Sequence, residues 1–147
     1  MENKLHEMKA IIRIHGQVGI PQDVKETLDR LKIRKKYACV IIKEKPEIIG
    51  MIKKIRDYVA YGDISKEMFT ELIKKRGKAI DKGKKIDFEK VVEEFFEKNT
   101  KKLIELNLKP FFGLHPPRKG IKSKVHFPKG VLGNNGEKIN ELIKRML

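Results

Sequence analysis

Residues 37–62 read YACVIIKEKPEIIGMIKKIRDYVAYG, and their hydrophobic period changes twice. Tyr37-Ala38-Cys39-Val40-Ile41-Ile42 is a short apolar run rich in β-branched residues, the pattern of a buried strand. Pro46 then opens a helix, since its fixed φ suits the first helical turn. Ile48, Met51, Ile52, Ile55 and Val59 recur at helical spacing and give that helix one apolar face. Tyr58-Val59-Ala60-Tyr61 returns to strand character before Gly62. A strand, a helix of one apolar face and a second strand within 26 residues specify a small α+β unit, not a helical bundle.

The unit extends upstream. Ala10-Ile11-Ile12-Arg13-Ile14 reads as an earlier strand ended by Gly16. Pro21 starts a helix whose Val24, Leu28 and Leu31 share a face. A basic turn, Lys32, Arg34, Lys35 and Lys36, leads into the strand at Tyr37. The expectation for residues 1–62 is a three-stranded β-α-β-α-β core with both helices on one face of the sheet.

Downstream, Ser65 can cap a helix with Met68, Phe69, Leu72 and Ile73 inside. Asp87 can cap another carrying Phe88, Val91, Val92, Phe95 and Phe96. Asn134 and Glu137 suit the start of a last helix with Ile139, Leu142, Ile143 and Met146 on its apolar face. Few strand candidates lie beyond residue 62. Residues 63–147 therefore read as a helical and loop extension packed on the core as one unit. Residues 109–136 form its long Pro/Gly-rich loop.

Charge narrows the function. The 147-residue chain carries 35 Lys and Arg against 20 Asp and Glu, a formal net charge of +15. Residues 1–62 hold 14 bases and 8 acids, net +6, and residues 63–147 hold 21 and 12, net +9. The excess is not a single tail, so it suits a partner that surrounds the molecule, as folded RNA does. Growth at high temperature raises Lys and Glu together, which does not explain so unequal a balance. Between Glu105 and Glu137 there is no acid at all. That stretch carries Lys109, His115, Arg118, Lys119, Lys122, Lys124, His126 and Lys129 among prolines and glycines. A loop of one charge sign repels itself, so residues 109–130 are expected to be extended in solution and ordered on RNA.

Several classes fall away. The lone cysteine, Cys39, excludes an internal disulfide and lies in an apolar run, as a small buried hydrophobe would. No apolar run is long enough for a signal peptide or a membrane helix, so a cytoplasmic protein is expected. His6, His15, His115 and His126 have no metal-ligand spacing, and no cofactor or small-molecule substrate is implied. Gly133-Asn134-Asn135-Gly136 imitates the phosphate clamp of a KH domain, but eleven residues after Gly136 do not complete that fold. Glu93, Glu94 and Glu97 share the face opposite Val92 and Phe95, the usual solvated face. No base, nucleophile or orienting partner is arranged with them.

The order and spacing of these elements resemble the large-subunit ribosomal protein L-thirty family in its archaeal form, whose eukaryotic counterpart is called L-seven. Thr27, Leu28, Leu31, Ile33, Lys35 and Val40 fall in the first half of the family signature. Met51, Ile52, Ile55, Tyr58 and Val59 fall in the second. PEIIGMIKKIRDYVAYG is similar to the archaeal Pro-x-x-x-Gly-Met-Ile block, and HPPRKG and KVHFPKG resemble pieces of the archaeal loop. Ala38 and Ile49 depart from the pattern, standing where a small polar residue or histidine and an arginine are usual. The resemblance implies a ferredoxin-like core and a non-enzymatic role in the 50S subunit. It also implies binding to large-subunit rRNA near the 5S RNA region, beside neighbouring ribosomal proteins. A free RNA-binding regulator or RNA chaperone is the alternative; an RNA-modifying enzyme would need a general-base cluster that the sequence lacks. The residues expected to meet RNA are Lys32, Arg34, Lys35, Lys36, Lys53, Lys54, Lys74, Lys75, Arg76, Lys84 and Lys85, with the eight cations and histidines of the acid-free stretch. Their ammonium and guanidinium groups neutralise phosphates and release counterions.

Overall fold

Strand β1 (Met8–Arg13) is buried at both parities, and this places it at the centre of a sheet. The computed structural model describes residues 8–14, 19–43, 46–81, 83, 85–97, 106–109, 111–114 and 133–146. In it Met8, Ala10 and Ile12, with Ile14 just beyond, enter one core, while Ile11 enters another. Side chains alternate along a strand, so such a strand needs helices above and below it.

Strand β1 pairs antiparallel with β2 (Ala38–Lys43), setting Ile11 opposite Val40. Its other edge pairs antiparallel with β3 (Val59–Asp63), setting Ile11 opposite Tyr61. Helix α1 (Gln22–Arg30) joins β1 to β2, and α2 (Pro46–Ile55) carries the chain from β2 across to β3. Both pack on the Ile11 face, where Val24, Leu28 and Leu31 meet Ile52, Ile55 and Val59. The α+β core therefore has the expected β-α-β-α-β order with its helices on one face. Strand β3 runs further than expected, through Gly62 to Asp63, whose carboxylate meets Lys9 Nζ at 2.6 Å directly across the ladder.

The sheet is also wider than the sequence pattern indicates. Residues Phe112–Gly113 form β4, antiparallel to β2 with Phe112 opposite Cys39. Residues Gly133–Asn134 form β5, parallel to β3 with Gly133 opposite Ala60. The order is β4-β2-β1-β3-β5. A two-residue strand has no alternation to read, so only tertiary pairing reveals it.

On the face opposite α1 and α2 lie α3 (Lys66–Arg76), α4 (Phe88–Val91) and α5 (Ile139–Met146). Ser65 Oγ accepts the Met68 N–H at 3.2 Å, and Asp87 Oδ1 accepts the Lys90 N–H at 3.2 Å. These are two of the three caps the sequence indicates, each satisfying an otherwise orphaned donor. Met68, Phe69, Leu72 and Ile73 share a core with Ile139, Leu142, Ile143 and Met146. After α4 the chain continues as a π-helical turn, Val92–Glu97. Phe95 stacks on Phe69 there, with centroids 5.6 Å apart. Asn134 lies in β5 and not at the start of α5. Pairing with β3 holds it extended, the Asn135 N–H donates to the Tyr61 carbonyl at 2.7 Å, and a 3-10 turn, Gly136–Lys138, leads into the helix. Asn140 then ties α5 to the end of β3: its Oδ1 accepts the Ser65 N–H at 2.9 Å and its Nδ2 donates to the Asp63 carbonyl at 3.2 Å.

Gly62 is where β3 and this turn approach most closely. A Cβ there would collide with the Gly136 carbonyl oxygen, whereas one at Gly113 meets nothing within 4 Å. Gly62→Ala is expected to lower unfolding stability by about 1–3 kcal/mol in a urea titration. Gly113→Ala is expected to stay within about 0.5 kcal/mol of the parent.

Candidate nucleic-acid interface

The turn from α1 to β2 reverses the chain within a few residues, and two of its non-glycine residues take left-handed backbone: Lys32 at φ 69° and Tyr37 at φ 66°. Tyr37 thus lies outside the strand that the sequence assigns it to. Such backbone persists only where surrounding contacts over-determine it. Ile33 supplies one anchor, fully buried between the helices and the sheet. Arg13 supplies the other.

Arg13 is 1% exposed, yet it is charged. Its Nη1 donates to the Ile33 carbonyl at 3.0 Å and to the Arg34 carbonyl at 2.7 Å. Its own carbonyl accepts the Tyr37 N–H at 2.6 Å, and the Tyr37 carbonyl accepts the Leu114 N–H at 3.1 Å. The central strand, the basic turn and the segment after β4 are therefore stitched together around one residue. Burial pushes the Arg13 pKa down, and the Asp29 carboxylate opposes that shift. A guanidinium remains protonated at any physiological pH, so the buried charge persists and must be hydrogen-bonded.

With its backbone so held, the turn presents Lys32, Arg34, Lys35 and Lys36 to solvent. They border a cavity of about 560 Å³ with Ala38, Phe111, Gly113 and Leu114. Lys36 Nζ stands 5.1 Å from the centre of the Tyr37 ring. Phe111 is 41% exposed, unusual for a large apolar side chain, and it faces this ring of cations.

The remaining expected contacts fall into separate places. Lys53 and Lys54 are exposed on α2. Lys54 Nζ lies 3.8 Å from Asp23 Oδ2 with both side chains largely in water, a pair that contributes little. Lys74, Lys75 and Arg76 end α3 on the other side of the sheet, so they do not form one patch with the α2 lysines. The fold brings Lys74 beside Lys85 at a second cavity of about 470 Å³, where Asp87 and Glu89 offset their charge. Lys109 is half-buried, and its N–H donates to the Lys78 carbonyl at 2.9 Å. An Ala79–Leu108 bridge beside it pairs the two segments. Lys84, His115, Arg118, Lys119, Lys122, Lys124, His126 and Lys129 lie outside the described residues, as does most of the 109–130 loop.

Sequence reading missed Arg13 and Phe111. Arg13 left only a faint signal: it interrupts the isoleucine run Ile11-Ile12-Arg13-Ile14, where a charge that is buried needs partners. Other candidate chemistry finds little support. Cys39 is fully buried, and burial pushes its thiol far above the ordinary range. Glu93 is exposed, but Glu94 is half-buried: the π-turn shifts the register of the face it shares with Glu93. Among the described residues no group of three or more His, Cys, Asp or Glu is placed to hold a metal ion. No helix among them is long and apolar enough to cross a membrane.

The family described as Ribosomal protein L30p/L7e matches residues 9–59. The chain is 41% identical to large ribosomal subunit protein uL30 of Archaeoglobus fulgidus, covering 95% of this chain and 99% of that protein. It is 40% identical to the uL30 of Nanoarchaeum equitans, with 94% and 97% covered. It is also 40% identical to that of Desulfurococcus amylolyticus, with 96% and 99% covered.

Three outcomes follow from this geometry. Arg13→Met keeps bulk but strands two carbonyls, and is expected to cost about 1–3 kcal/mol in a urea titration. Lys35→Met, on the same turn but exposed, is expected to change stability by no more than about 0.5 kcal/mol. Cys39 is expected to resist iodoacetamide in the folded protein at pH 8, because the thiolate is the reactive form and burial disfavours it. Alkylation should rise only through the urea transition followed by circular dichroism.

Proposed function

Because the chain belongs to the ribosomal protein L30p/L7e family, we propose that it is a structural constituent of the large ribosomal subunit that holds rRNA segments in register. The family is structural and non-enzymatic, and this chain is not an enzyme. Its work is electrostatic and geometric. Phosphate contacts position RNA without reading its sequence, and each neutralised phosphate releases counterions.

The observation that carries this reading is the Arg13-held turn. Lys32, Arg34, Lys35 and Lys36 project from a backbone whose conformation is already set, so little ordering is lost when phosphates arrive. The turn is the primary contact. Lys53 and Lys54 on one side of the sheet, and Lys74, Lys75, Arg76 and Lys85 on the other, reach further RNA segments, as does Lys84. His115, Arg118, Lys119, Lys122, Lys124, His126 and Lys129 enter spaces between rRNA helices that a folded unit does not fit, and Lys109 meets RNA at the folded base of that segment. Residues 1–62 and 63–147 act as one body in this role, near the 5S rRNA region and beside neighbouring ribosomal proteins.

A variant carrying Lys32→Asn, Lys35→Gln and Lys36→Gln tests the turn; asparagine keeps the left-handed backbone at position 32 accessible. The plot of log K against log salt is expected to flatten by about 2–3 units of slope. An unchanged slope would mean these side chains face bulk water. The parent is expected to co-sediment with 50S particles through a high-salt wash. Release of the parent in that wash would point instead to a free RNA-binding protein.

A further inference from the structure

We propose that the cavity between the Arg13-held turn and β4 receives one unpaired RNA nucleotide. Its base would stack on Phe111 and its phosphate would lie among Lys32, Lys35 and Lys36. The inference rests on the RNA-binding role above and adds the form that the RNA takes at this site.

Two features set this place apart from an ordinary basic surface. The first is shape. Lysines that only neutralise a duplex backbone need no hollow, yet these three rim a cavity of about 560 Å³. That size lies within the roughly 300–1,000 Å³ typical of sites for small ligands. The second is chemistry. Ala38 and Leu114 give the cavity an apolar lining, and Phe111 stands 41% exposed at it. Bases in a duplex are already stacked on one another, so an exposed phenyl ring has no face to meet there. A splayed-out base presents one, and stacking on aromatic side chains is how single-stranded RNA is held. Cations at the rim and an apolar wall inside match a nucleotide, which is charged at its phosphate and flat and weakly polar at its base. Gly113 adds no side chain to fill the space. The hydrogen bonds from Arg13 and to Tyr37 form this cavity without RNA, so the nucleotide enters a prepared site.

The experiment uses the full chain and two RNA duplexes of equal length, one carrying a single 2-aminopurine bulge. The parent is expected to prefer the bulged RNA by about tenfold or more and to quench the 2-aminopurine on binding. Phe111→Ala should abolish both the preference and the quench, Phe111→Tyr should keep both, and all three proteins should share one salt slope. Equal affinity of the parent for both RNAs, or an equal loss on both in Phe111→Ala, would overturn the nucleotide pocket and leave the phosphate-binding role intact. Failure to bind either RNA would overturn both. Photo-crosslinking from benzoylphenylalanine placed at position 111, in purified large subunits, identifies the occupant directly. A crosslinked rRNA nucleotide supports the proposal, and a crosslinked protein chain overturns it.

Discussion

The guanidinium of Arg13 lies within the fold, under the basic turn, and the basic surface of the turn depends on it. A charge withdrawn from water is costly unless hydrogen bonds replace its hydration. Here the replacements are the carbonyls of Ile33 and Arg34, the backbone of the turn itself. The stability of the sheet and the shape of the turn are therefore one problem. Whatever holds β1 between β2 and β3 also holds the lysines, and whatever loosens the turn exposes a buried charge.

This coupling explains how a strongly basic molecule keeps ordered cations at its surface. Like charges on a free loop would spread apart. Lys32, Arg34, Lys35 and Lys36 instead project from a backbone fixed by Arg13, Ile33 and the strand β4 beside it. The two short edge strands have matching roles. Strand β4 closes one side of the cavity at the turn. At the opposite edge, β5 brings Gly136 against Gly62 and sets α5 over the sheet. Residues far apart in sequence thereby share one hydrophobic core.

Much of this was legible in the sequence. Each apolar helix face of α1, α2, α3 and α5 was marked by spacing, and the Ser65 and Asp87 caps by residue type. Strands β1 and β2 were marked by β-branched runs and β3 by Tyr58-Val59-Ala60-Tyr61. What stayed hidden depended on contacts between distant residues. Strands β4 and β5 are too short to show a period. Asn134 resembles a cap in sequence but is drawn into β5, and the π-turn at Val92–Glu97 shifts a face that regular helical spacing misassigns. The basic turn was readable as charge, but its rigidity was not, because Arg13 in a strand resembles any outward-facing cation. Phe111 is one residue of an aromatic pair, and only the burial of Phe112 in the core reveals that its neighbour is left outside.

The central claim is that the turn is set before RNA arrives. Amide hydrogen exchange tests it most directly at Lys32, Ile33, Tyr37 and Ala38, whose N–H groups donate to Asp29, Leu28, Arg13 and Lys35 carbonyls. The account predicts that these amides are protected in the free protein and change little on RNA binding. Rapid exchange in the free protein, with protection appearing only in the complex, would contradict it.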